Sequence, residues 1–321
     1  MKRLGAKRLL LQLPDGLRPI AYEIIAGITE GTEVEVILSG DSCYGSCDVA
    51  IKQARELGVE LLVHYGHSFM FESDDVPVLY VHAMIDVDIP ELVKAVEPQL
   101  KQWRRIGLVS TVQHVHQLED LAEALKKLGF EVQIGRGQGK TPYDGQVLGC
   151  YYYTAQQVIE NVEVFLYIGG GQFHPTGLLL NTGKPVVTAN PYTGAVAVKR
   201  LDDLMQLAKK RFAAIIALKT ATRVGILVSS KPGQFSMKIA DGLAQKFRGR
   251  RVEATIIYLD EVRADQLNNF AEIQAFVDTA CPRIAVDGVA GLDKPLVTVR
   301  EAEVALGETR WEDIWGNKYL G

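Results

Sequence analysis

The chain has 321 residues, of which 47% are hydrophobic and 23% are charged, and its formal net charge is −4. These values exclude a disordered chain, and the lack of a lysine-rich run argues against a nucleic-acid partner. No apolar stretch approaches the roughly 20 residues that span a bilayer, and Pro14 interrupts the first apolar run before a signal-peptide core forms, so we expect a cytoplasmic protein without a membrane contact.

Predicted strands and helices alternate from the start of the chain. A strand within residues 6–18 is followed by a helix (20–31), a strand (34–38), a helix (48–58) and a strand (59–68). The same order of strand, helix, strand, helix and strand recurs twice. The second copy covers 103–115, 116–129, 130–135, 153–162 and 162–175. The third copy covers 221–234, 235–249, 252–259, 264–274 and 275–284. Gly129 and Gly249 stand where a glycine is expected just past a helix C-terminus.

This alternation indicates parallel sheets covered by helices on both faces. We therefore predict an α/β fold class with three similar domains, each a small parallel sheet flanked by helices, in other words a triplication. Boundaries near residues 100 and 215 give domains 1–100, 101–214 and 215–321, the last with a C-terminal tail. Each domain has one cysteine at a strand's carboxyl end or before a helix: Cys47, Cys150 and Cys281.

Most of the chemically interesting residues follow predicted strands, where open parallel sheets bind their ligands. The first domain contributes Gln12, Asp15, Gly16, Cys43, Cys47, His64 and His67. The second contributes His114, His116, Cys150, Gly169, Gly170, Gly171 and His174, and the third Lys231, Gln234, Asp260 and Cys281. We expect these loops to converge on one site.

The cysteine spacing by itself leaves the ligand open. A cytosolic cysteine is often a small buried apolar residue, a metal ligand or a nucleophile rather than half of a disulfide. The CxxC pairs typical of structural zinc and the CxxxCxxC loop of ordinary radical enzymes are both absent, and only Cys43 and Cys47 form a CxxxC. Three thiolates with one open position suit an iron–sulfur cluster, whereas a closed zinc site needs a fourth ligand from Cys43 or a histidine.

Seven short motifs then identify a family resemblance over nearly the whole chain. They are LQLPDGL (11–17), SGDSCYGSCDVA (39–50), LVHYGHS (62–68), GQVLGC (145–150), YIGGGQFHPTGL (167–178), NPY (190–192) and TACPRIAVDG (279–288). In this order they resemble the archaeal diphthamide-biosynthesis enzymes. The resemblance implies a homodimer whose 4Fe–4S cluster is held by Cys47, Cys150 and Cys281, with Cys43 outside the matched set.

The activity that this resemblance implies is a transferase reaction. S-adenosylmethionine, the cosubstrate, is cleaved between sulfur and its γ-carbon by a cluster-generated radical reaction. The resulting 3-amino-3-carboxypropyl group goes to a histidine of archaeal translation elongation factor 2, the first step of diphthamide biosynthesis. An electron donor, which the sequence does not identify, must reduce the cluster.

The resemblance also suggests residues that contact S-adenosylmethionine, without fixing a catalytic residue. They are Pro14, Asp15, Gly16, Tyr44, Gly45, His67, Gly169, Gly170, Gly171 and Arg283. For three of these groups the motif alone also allows a purely structural role. In that role Pro14–Gly16 forms only a turn, the three glycines a turn that needs positive φ, and Arg283 an ordinary salt bridge. A proton must leave the modified imidazole, and a nearby histidine or carboxylate could accept it.

Two other functions remain open at the level of sequence. One is a zinc-dependent transferase on the same scaffold, and the other is a non-catalytic partner or electron-donor subunit. The aromatic tail with Trp311, Trp315 and Tyr319 is expected to pack on the body of the protein or on a second subunit.

Overall fold

Thirteen strands in three sheets organise the part of the chain that the structure describes, residues 5–315. The structure is a computed structural model, and the chain divides after Arg200 into a first unit with two sheets and a second unit with one. Within residues 5–315, no helix combines the length and the apolar character needed to cross a bilayer.

The first sheet has the strand order β2-β1-β3-β4, and all its strands are parallel. Leu9 and Leu11 of the central strand face one core with the first helix, while Leu10 faces a second core with the second helix. A strand buried on both faces in this way is the reason for its continuous apolar run. The elements are β1 (Arg8–Gln12), a 3-10 helix (Asp15–Ile20), α1 (Ala21–Thr29), β2 (Glu35–Leu38), α2 (Ile51–Glu56), β3 (Leu61–Tyr65) and β4 (Val78–Val81).

The second sheet repeats this order as β6-β5-β7-β8 and adds an antiparallel edge strand, β9. The antiparallel strand was not expected from the sequence, which shows only the alternation of strands and helices. The elements are α3 (Ile89–Leu100), β5 (Arg105–Ser110), α4 (Leu118–Lys127), β6 (Glu131–Gln133), α5 (Tyr153–Val158), β7 (Val164–Ile168), α6 (Phe173–Thr182), β8 (Val186–Ala189) and β9 (Val196–Lys199).

The second unit repeats the order once more, as β11-β10-β12-β13. Its first helix, α7, is tied to α11 by the buried Arg211–Glu301 ion pair, and Arg211 also donates to the carbonyls of Ala285 (2.6 Å) and Leu296 (2.9 Å). The elements are α7 (Met205–Thr220), β10 (Arg223–Ser229), α8 (Met237–Arg248), β11 (Glu253–Leu259), α9 (Ala264–Leu267), β12 (Ala275–Asp278), α10 (Pro282–Asp287), β13 (Leu296–Thr298), α11 (Val299–Ala305) and α12 (Glu312–Trp315).

Each repeat is closed at the amino ends of its strands by one side chain, which we call the amino-end clamp. The residue before the third strand of the repeat accepts backbone N–H groups at the start of its first strand. Glu60 accepts from Lys7 and Arg8, Glu163 from Arg104 and Arg105, and Gln274 from Thr222 and Arg223. Strand order and clamp recur together, so the predicted fold class, three similar α/β sheets, is confirmed.

Some sequence predictions differ from the structure in detail. Gly129 and Gly249 both stand just past a helix C-terminus, as predicted, but only Gly129 has a positive φ (91°); after α8 the residue with positive φ is Arg251, at 63°. The three-domain division stays a prediction: the compact units divide after Arg200, and the predicted boundary near residue 215 lies inside α7.

The described part of the aromatic tail packs within the second unit. Trp311 and Trp315 are both 5% exposed, their rings stack 5.4 Å apart, and Trp311 meets Phe212 of α7 edge-on. This confirms packing on the body for the two tryptophans. Tyr319, the third aromatic residue of that prediction, lies outside the described residues.

Candidate functional site

The three matched cysteines occupy the loops where the sequence placed them. Cys47 is partly buried between β2 and α2, and the more exposed Cys150 precedes α5 by three residues. Cys281, in the second unit, is partly buried and is the N-cap residue of α10. All three therefore lie beyond the carboxyl ends of parallel strands, the ligand-binding edge of such sheets.

The loops after β1, β2 and β3 contact one another. A Cβ on Gly66, which has φ 95°, would lie 2.7 Å from Cγ of Pro14, so only glycine allows the third loop to approach the first. Asp15 pairs with Arg18 at 3.0 Å and accepts from the hydroxyl of Ser42 at 3.4 Å. The predicted Pro14–Gly16 segment is thus held between its two neighbours.

Gln12, at the end of β1, anchors the loop that carries Cys47. Its Nε2 donates to the carbonyl of Asp48 at 2.7 Å, and its Oε1 accepts from the backbone N–H of Ala50 at 3.0 Å. Asp48 in turn closes the loop, because its N–H donates to the Gly45 carbonyl and its carboxylate accepts from the N–H of Tyr44. The side chain of Tyr44 is left 63% exposed.

The same glutamine oxygen is bonded to a pair of histidines. His64 Nδ1 lies 2.8 Å from Gln12 Oε1, and His64 Nε2 lies 3.1 Å from His67 Nδ1. Burial lowers the pKa of His64 to about 3, with His67 as a further cause, and burial lowers the pKa of His67 to about 4. Both imidazoles are therefore neutral near pH 7.

Ser68 continues this chain of contacts into the second sheet. Its hydroxyl accepts from Nε2 of Gln146 at 2.7 Å, and the Gln146 carbonyl accepts from the hydroxyl of Thr154 on α5. Cys150 is presented by the short bridge between Leu148 and Tyr151 that follows. A Cβ on the preceding Gly149 would lie 1.6 Å from the Phe173 ring, so this turn requires glycine.

The glycine-rich segment after β7 is a tight turn with a tyrosine beside it. Gly169 and Gly171 have φ 148° and 73°, so the conformational alternative for these glycines is confirmed. Tyr192 packs 3.5 Å from where a Cβ of Gly170 would be, and its hydroxyl lies 3.1 Å from Nε2 of His114. Because His114 Nδ1 donates to the Ile85 carbonyl, its Nε2 accepts from Tyr192.

A buried carboxylate shapes the loop of Cys281. Asp278 is 2% exposed, and its carboxylate accepts from the backbone N–H groups of Ala280, at 2.8 Å, and of Cys281. Burial raises the pKa of Asp278 to about 7 against these hydrogen bonds. Arg283, on the following helix, pairs with Asp287 at 2.6 Å, which is the salt bridge that the sequence left as an alternative.

Sequence reasoning missed the residues that hold these loops in place. Gln12 was noted only for its position, and Gln146, Tyr192 and Asp278 were not singled out as site residues. Gln12 and Asp278 share one signal, a polar residue that ends an otherwise apolar strand. Gln146 has no such signal, because its partner Ser68 is 78 residues away.

Comparisons with known proteins agree on one family. The family model for diphthamide synthesis proteins matches residues 13–316. The 2-(3-amino-3-carboxypropyl)histidine synthase of Pyrococcus horikoshii is 38% identical over 98% of this chain and 91% of its own length. The mouse protein 2-(3-amino-3-carboxypropyl)histidine synthase subunit 1 is 34% identical over 98% of this chain and 73% of its own length. The crystal structure of Dph2 from Pyrococcus horikoshii with a 4Fe–4S cluster matches with a TM-score of 0.86 over 98% of this chain and 92% of that one.

Proposed function

This chain belongs to the diphthamide synthesis family, and on that premise we propose that it is a 2-(3-amino-3-carboxypropyl)histidine synthase. It transfers the 3-amino-3-carboxypropyl group of S-adenosylmethionine to a histidine of archaeal translation elongation factor 2, the first step of diphthamide biosynthesis. The observation that carries this proposal is the match, over nearly the full chain, to a structure that holds a 4Fe–4S cluster.

The cysteines of this chain fit such a cluster. Cys47, Cys150 and Cys281 offer three thiolates, the donors that iron–sulfur clusters require, and each follows a strand of a different sheet. Gly149 and Asp278 support the assignment because they shape the turns that carry Cys150 and Cys281. When bound and reduced, the cluster supplies the electron that breaks the bond between the sulfur and the γ-carbon of S-adenosylmethionine.

The protein's part is to hold S-adenosylmethionine so that this bond, and no other, is in line for cleavage. We assign contacts to Pro14, Asp15, Gly16, Tyr44, Gly45, His67, Gly169, Gly170, Gly171 and Arg283. Gly16 and Gly171 have open space around the position of a Cβ, which leaves room for close approach to the backbone. His67 uses Nδ1 toward His64, so Nε2 is its atom for a cofactor contact.

Neither His64 nor His67 is proposed as the base that takes the proton from the target imidazole. Their lowered pKa values make them weak bases at neutral pH.

The proposal includes an assembly and a cellular location. The enzyme acts as a cytoplasmic homodimer, with elongation factor 2 as protein substrate and with an electron donor that reduces the cluster. The non-catalytic subunit is the weaker alternative, because the chain keeps all three matched cysteines. The zinc-dependent transferase is also weaker, because it does not explain the match to a cluster-bearing structure.

Anaerobic product analysis tests the proposal. Reduced protein with S-adenosylmethionine should release 5′-methylthioadenosine, and replacing Cys47, Cys150 or Cys281 by alanine should each lower iron content and abolish transfer. Cys43→Ala is the matched control and should keep most of the iron and the activity. Release of 5′-deoxyadenosine as the main product, or full activity of iron-free protein, would overturn the proposal.

A further inference from the structure

Cys43, the cysteine outside the matched set, lies with two histidines in a buried cluster of the first unit. One thiol sulfur and two imidazole nitrogens, from Cys43, His64 and His67, all lie within 4.8 Å of one another. Cys43 is 6% exposed, His64 is fully buried and His67 is partly buried. One sulfur and two nitrogens are ligands that zinc and similar borderline-soft divalent ions prefer.

We propose that Cys43, His64 and His67 form a second metal site, which takes one divalent ion of the zinc class and is separate from the three cluster cysteines. The three residues come from the loop after β2, from β3 and from the loop after β3. The ion therefore joins the loop that carries Cys47 to β3, which lies on the other side of β1 in the sheet. The proposal is independent of the transferase activity.

Gln12 prepares His64 for this role. The orientation of the Gln12 amide is fixed from both sides, because its nitrogen donates to Asp48 and its oxygen accepts from Ala50. The oxygen 2.8 Å from His64 Nδ1 can only accept, so Nδ1 carries the hydrogen and Nε2 carries the lone pair. Metal-bound histidines commonly have this arrangement, in which the second ring nitrogen donates to a fixed acceptor.

The separation of the two histidine nitrogens already approaches that of a tetrahedral site. Two nitrogens bound to zinc at about 2.0–2.1 Å are roughly 3.3 Å apart in tetrahedral geometry. His64 Nε2 and His67 Nδ1 are 3.1 Å apart. The metal ion takes the place of the hydrogen that lies between these two nitrogen atoms.

Metal binding displaces two protons, from His67 Nδ1 and from the Cys43 thiol, and involves no oxidation or reduction. The hydrogen on His67 Nδ1 moves through solvent to His67 Nε2, so both histidines stay neutral. The Cys43 thiol loses its proton to solvent as the metal–sulfur bond forms. Water takes the fourth coordination position, as in zinc sites with three protein ligands.

Metal analysis of the full-length protein tests the proposal. Wild-type protein purified from zinc-supplemented cells and dialysed against a weak chelator should retain about one zinc per chain in addition to iron. Cys43→Ser should lose the zinc and keep the iron, and Cys47→Ser should lose iron and keep the zinc. The two variants are matched, since each removes one sulfur from the same loop.

A cobalt titration gives a second readout that does not depend on iron. Full-length Cys47→Ser should develop the near-ultraviolet absorption of a cobalt–thiolate bond, and the Cys43→Ser/Cys47→Ser double variant should not, while circular dichroism shows both folded. Absence of zinc and of the cobalt band from folded Cys47→Ser overturns the proposal, and so does zinc that persists in Cys43→Ser. Failure of the transferase proposal would instead appear as wild-type protein without iron, which leaves the zinc result readable.

Discussion

The first and third repeats have the same strand order, but different kinds of side chain hold their cysteine loops in place. In the first repeat, a neutral amide and two neutral imidazoles, Gln12, His64 and His67, fix the loop around Cys47. In the third, a buried carboxylate, Asp278, fixes the loop of Cys281 through backbone N–H groups. The cysteine follows the second strand in the first repeat and the third strand in the last one, and each loop has its own supporting side chains.

The stability of the first unit and that of the second unit change with pH in opposite directions. In the metal-free protein, His64 and His67 have pKa values lowered from 6.5 to about 3 and about 4, so the unfolded chain binds more protons than the folded one between those values and 6.5. The first unit therefore gains stability as pH rises through that window. Asp278 has its pKa raised from 3.8 to about 7, so the second unit loses stability as pH rises from about 4 to about 7.

Removing the amide anchor of the first repeat should have the largest effect. Gln12→Leu leaves the His64 Nδ1–H and the Asp48 carbonyl without their partner in a buried site. Each such group costs roughly 1–3 kcal/mol, so we expect a loss of about 2–6 kcal/mol from the first unit. Hydrogen exchange of peptides from β1 and β3, read by mass spectrometry, should show the loss.

Gln53→Leu is the matched control in the same sheet. Gln53 bonds Ser39 and Asp41 but is partly exposed, so water replaces its lost partners. It should change exchange much less than Gln12→Leu. Equal effects of the two variants would show that the Gln12 network adds nothing special to the first repeat.

Replacing the buried acid of the third repeat should remove a pH dependence. Between about pH 4 and 7, Asp278 should cost the second unit about 1 kcal/mol of stability for each pH unit. Asp278→Asn keeps an acceptor for Ala280 and cannot ionise, so the variant should equal wild type near pH 4 and exceed it near pH 8. Hydrogen exchange of peptides from β10 and β12 at both values measures this.

The first unit serves as the internal control for Asp278→Asn. Its own rise in stability between about pH 4 and 6.5 should be the same in wild type and variant. A second unit with an unchanged pH dependence in the variant would contradict the ionisation assigned to Asp278.

Giving the second repeat the amino-end clamp side chain of the third repeat, by Glu163→Gln, should have the smallest effect. Backbone hydrogen bonds from Arg105 and Arg104 lower the pKa of Glu163, so its contribution is present above pH 4.5 and is lost as pH falls. Glu163→Gln copies the third repeat and should melt slightly below wild type at pH 7 in low salt. The difference should shrink as pH falls below 4.5, because the carboxylate becomes protonated, and in high salt, because it is exposed; a large drop at every pH would mean that the amide cannot replace it.

The sequence predicted the parts of this molecule that depend on local pattern. The strand–helix alternation and the strand-end positions of Cys47, Cys150 and Cys281 follow from apolar runs and their breaks. The fourth strand of each sheet and the antiparallel β9 were missed, since their positions depend on tertiary pairing. Likewise, the cluster of Cys43 with His64 and His67 needs the register of β1 and β3, which pairs Gln12 with His64.

The amino-end clamp has a consequence for how the three repeats differ. Each clamp joins the first and third strands of its own repeat at the edge opposite to the loops that carry the site residues. A substitution in a carboxyl-end loop of one repeat therefore leaves these contacts at the opposite edge in place. The three repeats share the clamp at one edge, whereas at the other edge the first has a pair of histidines, the second a glycine turn and the third a buried acid.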